Sequence, residues 1–174
     1  MTHPDLMPGP QDRPTPELPA TGFMIDPAAR RIAPWPYNGD WQTIAPAIRI
    51  GASPFTLVEI GNGDVIYVDD EGLLKPLDWF FALKGAHQPF AGCGLVLGSN
   101  DEGEATSARI AREELKRRIL HLRIVGTSPM RFLAWDAVDP TSGPTGITLH
   151  ELETWMAASL PLPSSGPPDR DTEA

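Results

Sequence analysis

Proline placement constrains this chain more than any other feature. Proline makes up 20 of the 174 residues, about twice the usual ~5% share. Six prolines fall within the first 21 residues: Pro4, Pro8, Pro10, Pro14, Pro16 and Pro19. Four more follow Leu160: Pro161, Pro163, Pro167 and Pro168. Proline locks φ and removes a backbone donor, so such stretches join neither helix interiors nor central strands. Residues 1–21 and 161–174 are therefore read as disordered Pro-rich tails. Between them the patterning predicts a core domain over 22–126 and an extension over 127–160 made of one strand and one capped helix.

Charge narrows the function classes. The chain has 14 basic and 23 acidic residues, a formal net charge of −9. Residues 1–21 carry one base and three acids, and residues 127–174 carry two bases and seven acids. The central segment holds 11 bases and 13 acids and is close to neutral. Most of the acidity thus lies outside the expected core, where it serves solubility better than it would a rigid imitation of nucleic acid. No run approaches the ~20 apolar residues of a membrane helix. The single cysteine, Cys93, cannot build a disulfide framework within one chain or a Cys-rich zinc site. These features predict a cytoplasmic protein with no membrane association.

Local signals then place the elements. Gly22 to Asp26 is a short apolar run closed by Asp26-Pro27, with Arg31 and Ile32 opening the return. Asp40 is placed to cap a helix that Pro46 must shorten. Phe55–Ile60 and Val65–Val68 flank Gly61-Asn62-Gly63-Asp64, the signature of a hairpin. The second of these strands is apolar on both faces, so it belongs inside a sheet. Trp79–Leu83, Leu95–Leu97 and Met130–Trp135 read as further strands. A helix is expected from about Ser107 to Arg123, because Ala108, Ala111, Leu115, Ile119 and Leu122 form one stripe. Thr148-Leu149-His150-Glu151 is a capping box for a last helix. Together these predict an α+β fold: a small mixed or mostly antiparallel sheet with two to three helices, flanked by the Pro-rich tails.

Three blocks carry a resemblance: Phe23-Met24-Ile25-Asp26-Pro27-Ala28, Gly63 to Leu74, and Gln88 to Gly98 with Asp101-Glu102-Gly103-Glu104. From Gly22 to about Leu120 the chain resembles an uncharacterised domain-of-unknown-function family of small domains in bacterial genomes, phages and plasmids. The resemblance implies a compact α/β-type domain and a link to mobile genetic elements. It implies no activity and no catalytic residues. Pro46 interrupts the segment where such domains have a short helix.

The chain carries few chemical motifs. Asp69, Asp70 and Glu71 form one acidic turn, and Asp101, Glu102 and Glu104 form another. Carboxylates suit hard cations, but neither group has the spacing of a calcium loop, and exposed turns explain both. Gly92, Gly94 and Gly98 precede and end a strand instead of opening a helix, so they suit close packing better than a phosphate cradle. Cys93 and His87 stand six residues apart, which establishes no geometry, and a cysteine among apolar residues is usually inert. His3, His87, His121 and His150 form no metal pair on one helix face. No metal and no cofactor are expected.

The expected helix is locally basic, with Arg109, Arg112, Lys116, Arg117, Arg118 and Arg123 against Glu113 and Glu114. Arg109, Arg112, Lys116, Arg117 and Arg123 are the candidate interaction surface, for nucleic acid or an acidic protein. The competing account is a helix laced by its own Glu113–Arg117 and Glu114–Arg118 pairs. The reading that follows is a non-catalytic accessory or binding protein linked to mobile elements, with an unknown protein or nucleic-acid partner. Two alternatives stand beside it: an acidic inhibitor of a host nucleic-acid enzyme, and a small enzyme whose acid–base site is dispersed along the chain.

Overall fold

The structure, a computed structural model, describes residues 19–48 and 54–158. The expected tails at 1–18 and 161–174 lie outside the described residues. Among the described residues, eleven strands and three short α-helices follow in the order β1 (Ala20–Asp26), β2 (Arg31–Tyr37), α1 (Ile44–Ala47), β3 (Phe55–Gly61), β4 (Asp64–Asp69), β5 (Trp79–Leu83), β6 (Phe90–Ala91), β7 (Gly94–Ser99), β8 (Ala105–Thr106), α2 (Arg112–Arg117), β9 (Ile119–Thr127), β10 (Met130–Asp136), β11 (Thr145–Thr148) and α3 (Leu149–Ala157). Residues 20 and 21, read from sequence as the end of the tail, are already strand.

The strands form two antiparallel sheets. The first runs β2-β1-β7-β4-β3, with β8 added to β7, and the second runs β11-β10-β9-β5-β6. The fold is therefore mostly β, which corrects the α+β expectation, although the prediction of mostly antiparallel pairing stands. The segment expected as an extension gives two strands of the second sheet, β10 inside it and β11 at its edge, while α3 packs on the sheet's outer side.

The largest correction concerns the helix expected from Ser107 to Arg123. Only Arg112–Arg117 is helical, and Ala111 at its N-cap provides no side-chain hydrogen bond. Ile119–Thr127 is instead a nine-residue strand paired on both sides, with β5 and with β10. Two ladders supply more hydrogen bonds and more buried surface than a solitary surface helix, so tertiary pairing overrides the local stripe.

Elsewhere local chemistry and structure agree. Asn62 and Gly63 both take positive φ, 56° and 78°, as a two-residue hairpin turn requires. All six residues of β4 are buried, as befits a strand with neighbours on both sides. Asp40 accepts a hydrogen bond from Gln42 N at 2.9 Å. Thr148 and Glu151 make the reciprocal capping box of α3.

Strand alternation sorts the core into layers. Ile25, Ile66, Val68 and Val96 of the first sheet meet Phe81, Leu83 and Ile119 of the second. On the outer side of the first sheet, Met24, Tyr67, Leu95 and Leu97 pack under Ile44 and Ile48. On the outer side of the second, Phe80, Leu122 and Phe132 pack under Leu152 and Met156 of α3. Each fully buried side chain of this size contributes about 1.5–3 kcal/mol. Gly94 lets the sheets approach: a Cβ there would stand 2.7 Å from Phe81 Cζ. Gly98 likewise leaves room for the Ser107 carbonyl oxygen. Gly94 and Gly98 thus serve packing, whereas Gly92 takes a positive φ of 75°, and a Cβ there would meet nothing closer than 3.8 Å.

Candidate functional site

The β1–β2 hairpin turns at Asp26-Pro27. Asp26 Oδ1 accepts the Ala29 N–H at 3.2 Å, and Arg30 takes a positive φ of 53°. Because side chains alternate, Met24 and Asp26 of β1 share one face with Arg31, Ala33 and Trp35 of β2. Helix α1, shortened around Pro46, stands beside that face, and Cys93 enters from the start of β7. The result is a cleft of about 660 Å³ whose lining includes Met24, Asp26, Arg31, Ala33, Trp35 and Cys93. Trp35 is 38% exposed. Most of the lining is apolar, with Asp26, Arg31, Asn38 and Thr43 as its polar groups. This mix of an apolar body and a few polar anchors, at this size, is typical of ligand sites. Among the described residues no histidine lines it, and Cys93 is buried in its wall.

His121 lies between the sheets, on the same face as Phe81. It is 1% exposed, opposite Phe81 on β5 and Trp135 on β10. Its Nδ1 has no hydrogen-bond partner. Burial lowers its pKa to about 4, with Asp26 pulling it up and Arg30 pushing it down. Arg30 lies 5.3 Å from the centre of the Trp135 ring, and Trp135 stands 5.5 Å from Trp79.

The basic residues singled out from sequence do not share a helix face. Arg109 precedes α2, and its Nη1 donates to the carbonyls of Gly63 at 3.1 Å and Ser99 at 3.0 Å. It thereby fastens the β3–β4 turn to the end of β7. Lys116 pairs with Glu113 at 3.2 Å, and Arg117 pairs with Glu114 at 2.6 Å. Of the two expected pairs, Glu114–Arg118 forms, at 3.5 Å. Arg123 belongs to β9 and lies 5.6 Å from the centre of the Trp79 ring. Arg112 is exposed at the start of α2. Four of these five residues are thus engaged within the molecule. Arg109→Ala should lower stability in urea by about 1–2 kcal/mol, because the carbonyls it joins lose a charged donor.

The two acidic turns stand apart. Asp64 pairs with Gly98, so β4 and β7 run in opposite directions. Asp69, Asp70 and Glu71 therefore follow the end of β4 beside the start of β7, while Asp101, Glu102 and Glu104 follow the other end of β7. Asp69 is buried, pairs with Lys75, and accepts the Glu71 N–H at 3.0 Å. Asn100 organises the second turn by accepting the N–H groups of Glu102 and Glu104. Among the described residues no group of three His, Cys, Asp or Glu side chains is placed to hold a metal. His87, exposed before β6, and Cys93, after it, stand at opposite ends of the β5–β6 pair.

Sequence reasoning missed the cleft and the buried histidine. The cleft is assembled from β1, β2, α1 and the start of β7, and no local motif spans them. His121 had a signal: Ile119-Leu120-His121-Leu122 is a run with no polar face except the histidine itself, which suits a strand covered on both sides.

Architecture and cleft together define a two-sheet antiparallel β domain with helical covers and an open, largely apolar cleft. Compared with known proteins, the chain matches no family model, no curated protein and no solved structure. Among the described residues no helix is long and apolar enough to cross a membrane.

Proposed function

We propose that this chain is a non-catalytic binding module whose recognition surface is the cleft beside β1 and β2. The observation that supports this is its lining: a half-open apolar trough with Trp35 at its side and the Asp26 and Arg31 side chains among its polar groups. Such a surface suits an apolar or aromatic group carrying a polar end. The resemblance to small domains of phages and plasmids supports a role in the maintenance of mobile elements or in host interaction.

The other readings draw less support. A basic surface for nucleic acid would use Arg109, Lys116, Arg117 and Arg123, and these already serve carbonyls, carboxylates and a ring. An acidic inhibitor would need one negative face, whereas the acidic turns lie at opposite ends of β4 and β7.

A panel of small molecules and peptides, screened by thermal shift, tests the proposal. A ligand at 100 times its Kd stabilises the native state by about 2.7 kcal/mol, a readily measured rise in Tm. Ala33→Trp, which fills the trough, should abolish the rise while leaving the unliganded Tm close to that of the natural chain. A ligand-induced rise that persists in this variant would move the site elsewhere.

A further inference from the structure

Among the described residues, the strands at the two ends of the first sheet, β2 and β3, have no outer neighbour, and the two edges are built differently. In β1, Thr21 directs its N–H to Ser107 and its carbonyl to Ala108, away from β2. With the register Ala20–Tyr37 to Asp26–Arg31, residues 31, 33, 35 and 37 therefore bond to β1. Positions 32, 34 and 36 face outward. Two of these are Pro34 and Pro36, which have no N–H to offer, so this edge is closed to a further strand.

The β3 edge is not closed in this way. Asp70 N donates to the Pro54 carbonyl at 3.1 Å, which sets the phase of the β3–β4 ladder. Thr56 and Val58 bond inward to β4, and Phe55, Leu57 and Glu59 turn their N–H and C=O groups outward. No described strand pairs with them. The run stops after Glu59, where the ladder shifts register and Arg118 occupies the Ile60 carbonyl at 2.9 Å. Leu57, in the middle of the run, is 51% exposed.

We propose that this edge pairs with the same edge of a second copy of the chain, antiparallel, about a two-fold axis at Leu57. Outward-facing residues must meet outward-facing residues. Centring on Leu57 engages all three: Leu57 opposes Leu57 of the other copy, and Phe55 opposes Glu59 in both directions. Shifting the centre by one residue along either strand leaves only two such pairs. The chosen register also keeps the two Glu59 carboxylates at opposite ends of the junction, and it joins the exposed Leu57 side chains on one face. Such an interface is self-complementary, as a two-fold dimer requires, and it lengthens the first sheet across both copies.

Sedimentation and light scattering of the full chain test this. The natural chain should give a concentration-dependent mass rising toward twice 18.9 kDa. Leu57→Pro removes an outward N–H and no bond to β4, and Leu57→Lys sets two like charges against each other. Both should sediment as the monomer, with the circular dichroism of the parent. Directly opposed, hydrogen-bonded strand residues lie about 5.5 Å apart at Cα, within the reach of a disulfide. Leu57→Cys should therefore cross-link into a covalent dimer on mild oxidation, and Phe55→Cys should cross-link far less. A monomer at every concentration overturns the proposal, as does a dimer insensitive to Leu57→Pro and Leu57→Lys. Equal cross-linking of the two cysteine variants overturns the register and the proposal with it.

Discussion

Lowering the pH from 6.5 to 4 should cost the natural chain about 3 kcal/mol more stability than it costs a His121→Leu variant. His121 is buried between the sheets, and its pKa falls from 6.5 to about 4 in the folded state. A depressed histidine pKa means that the fold accommodates the neutral ring and resists the charged one. Well above pH 6.5 the ring is neutral in both folded and unfolded chains, and this contribution is fully present. As pH falls toward 4, the unfolded chain binds a proton that the folded chain refuses, and the contribution is lost. A difference of about 2.5 pH units corresponds to about 3 kcal/mol. Carboxylate titrations contribute to both proteins, so the difference between the two curves isolates the imidazole. Near neutral pH the leucine variant should match or exceed the parent, since it removes a buried nitrogen that lacks a partner. Urea titrations at half-unit pH intervals measure both effects, and parallel curves would show that His121 is not the responsible group.

Asp64→Ala should destabilise the fold by about 3 kcal/mol or more, a large share of the ~5–15 kcal/mol that holds a domain together. Asp64 opens β4 directly after the Asn62-Gly63 turn and is 1% exposed. Its Oδ2 accepts the Arg109 N–H at 2.9 Å and the Ile110 N–H at 2.7 Å, and its Oδ1 also accepts from Arg109 at 2.9 Å. These bonds tie the segment leading into α2 back onto the first sheet, just before the chain passes into the second. Removing the carboxylate strands both amides, each at about 1–3 kcal/mol. Asp64→Asn keeps one acceptor oxygen and should fall between. The loss should be accompanied by faster amide exchange across residues 105–118. A variant that keeps parental stability and protection there would deny the carboxylate this role.

The elements legible in the sequence are those whose information is local. Asn62-Gly63 dictates a turn by its own backbone preferences, Thr148 and Glu151 cap a helix within four residues, and Val65–Val68 carries its burial in its composition. The region from Ser107 to Arg123 fails for the opposite reason. Its apolar positions fit a helical period, but β5 and β10, distant in sequence, recruit Ile119–Thr127 as a strand. The basic residues then disperse: Arg109 goes to the β3–β4 turn and Arg123 to Trp79. The cleft was hidden because Met24, Trp35, Pro46 and Cys93 acquire a common surface only when the hairpin, the short helix and β7 are assembled. The contrast between the two edges of the first sheet is partly written in the sequence, through Pro34 and Pro36, but it needs the ladder phase to show which way each residue faces.

The path of the backbone has a consequence for how such a protein can vary. It leaves the first sheet after β4, returns for β7 and β8, and departs again for β9. Neither layer is encoded by a continuous stretch, so a chain divided between β4 and β9 leaves both layers incomplete. Variation by loss or exchange of a block is closed to it. Loops can lengthen and surface residues can drift, but the interleaved frame has to be inherited whole.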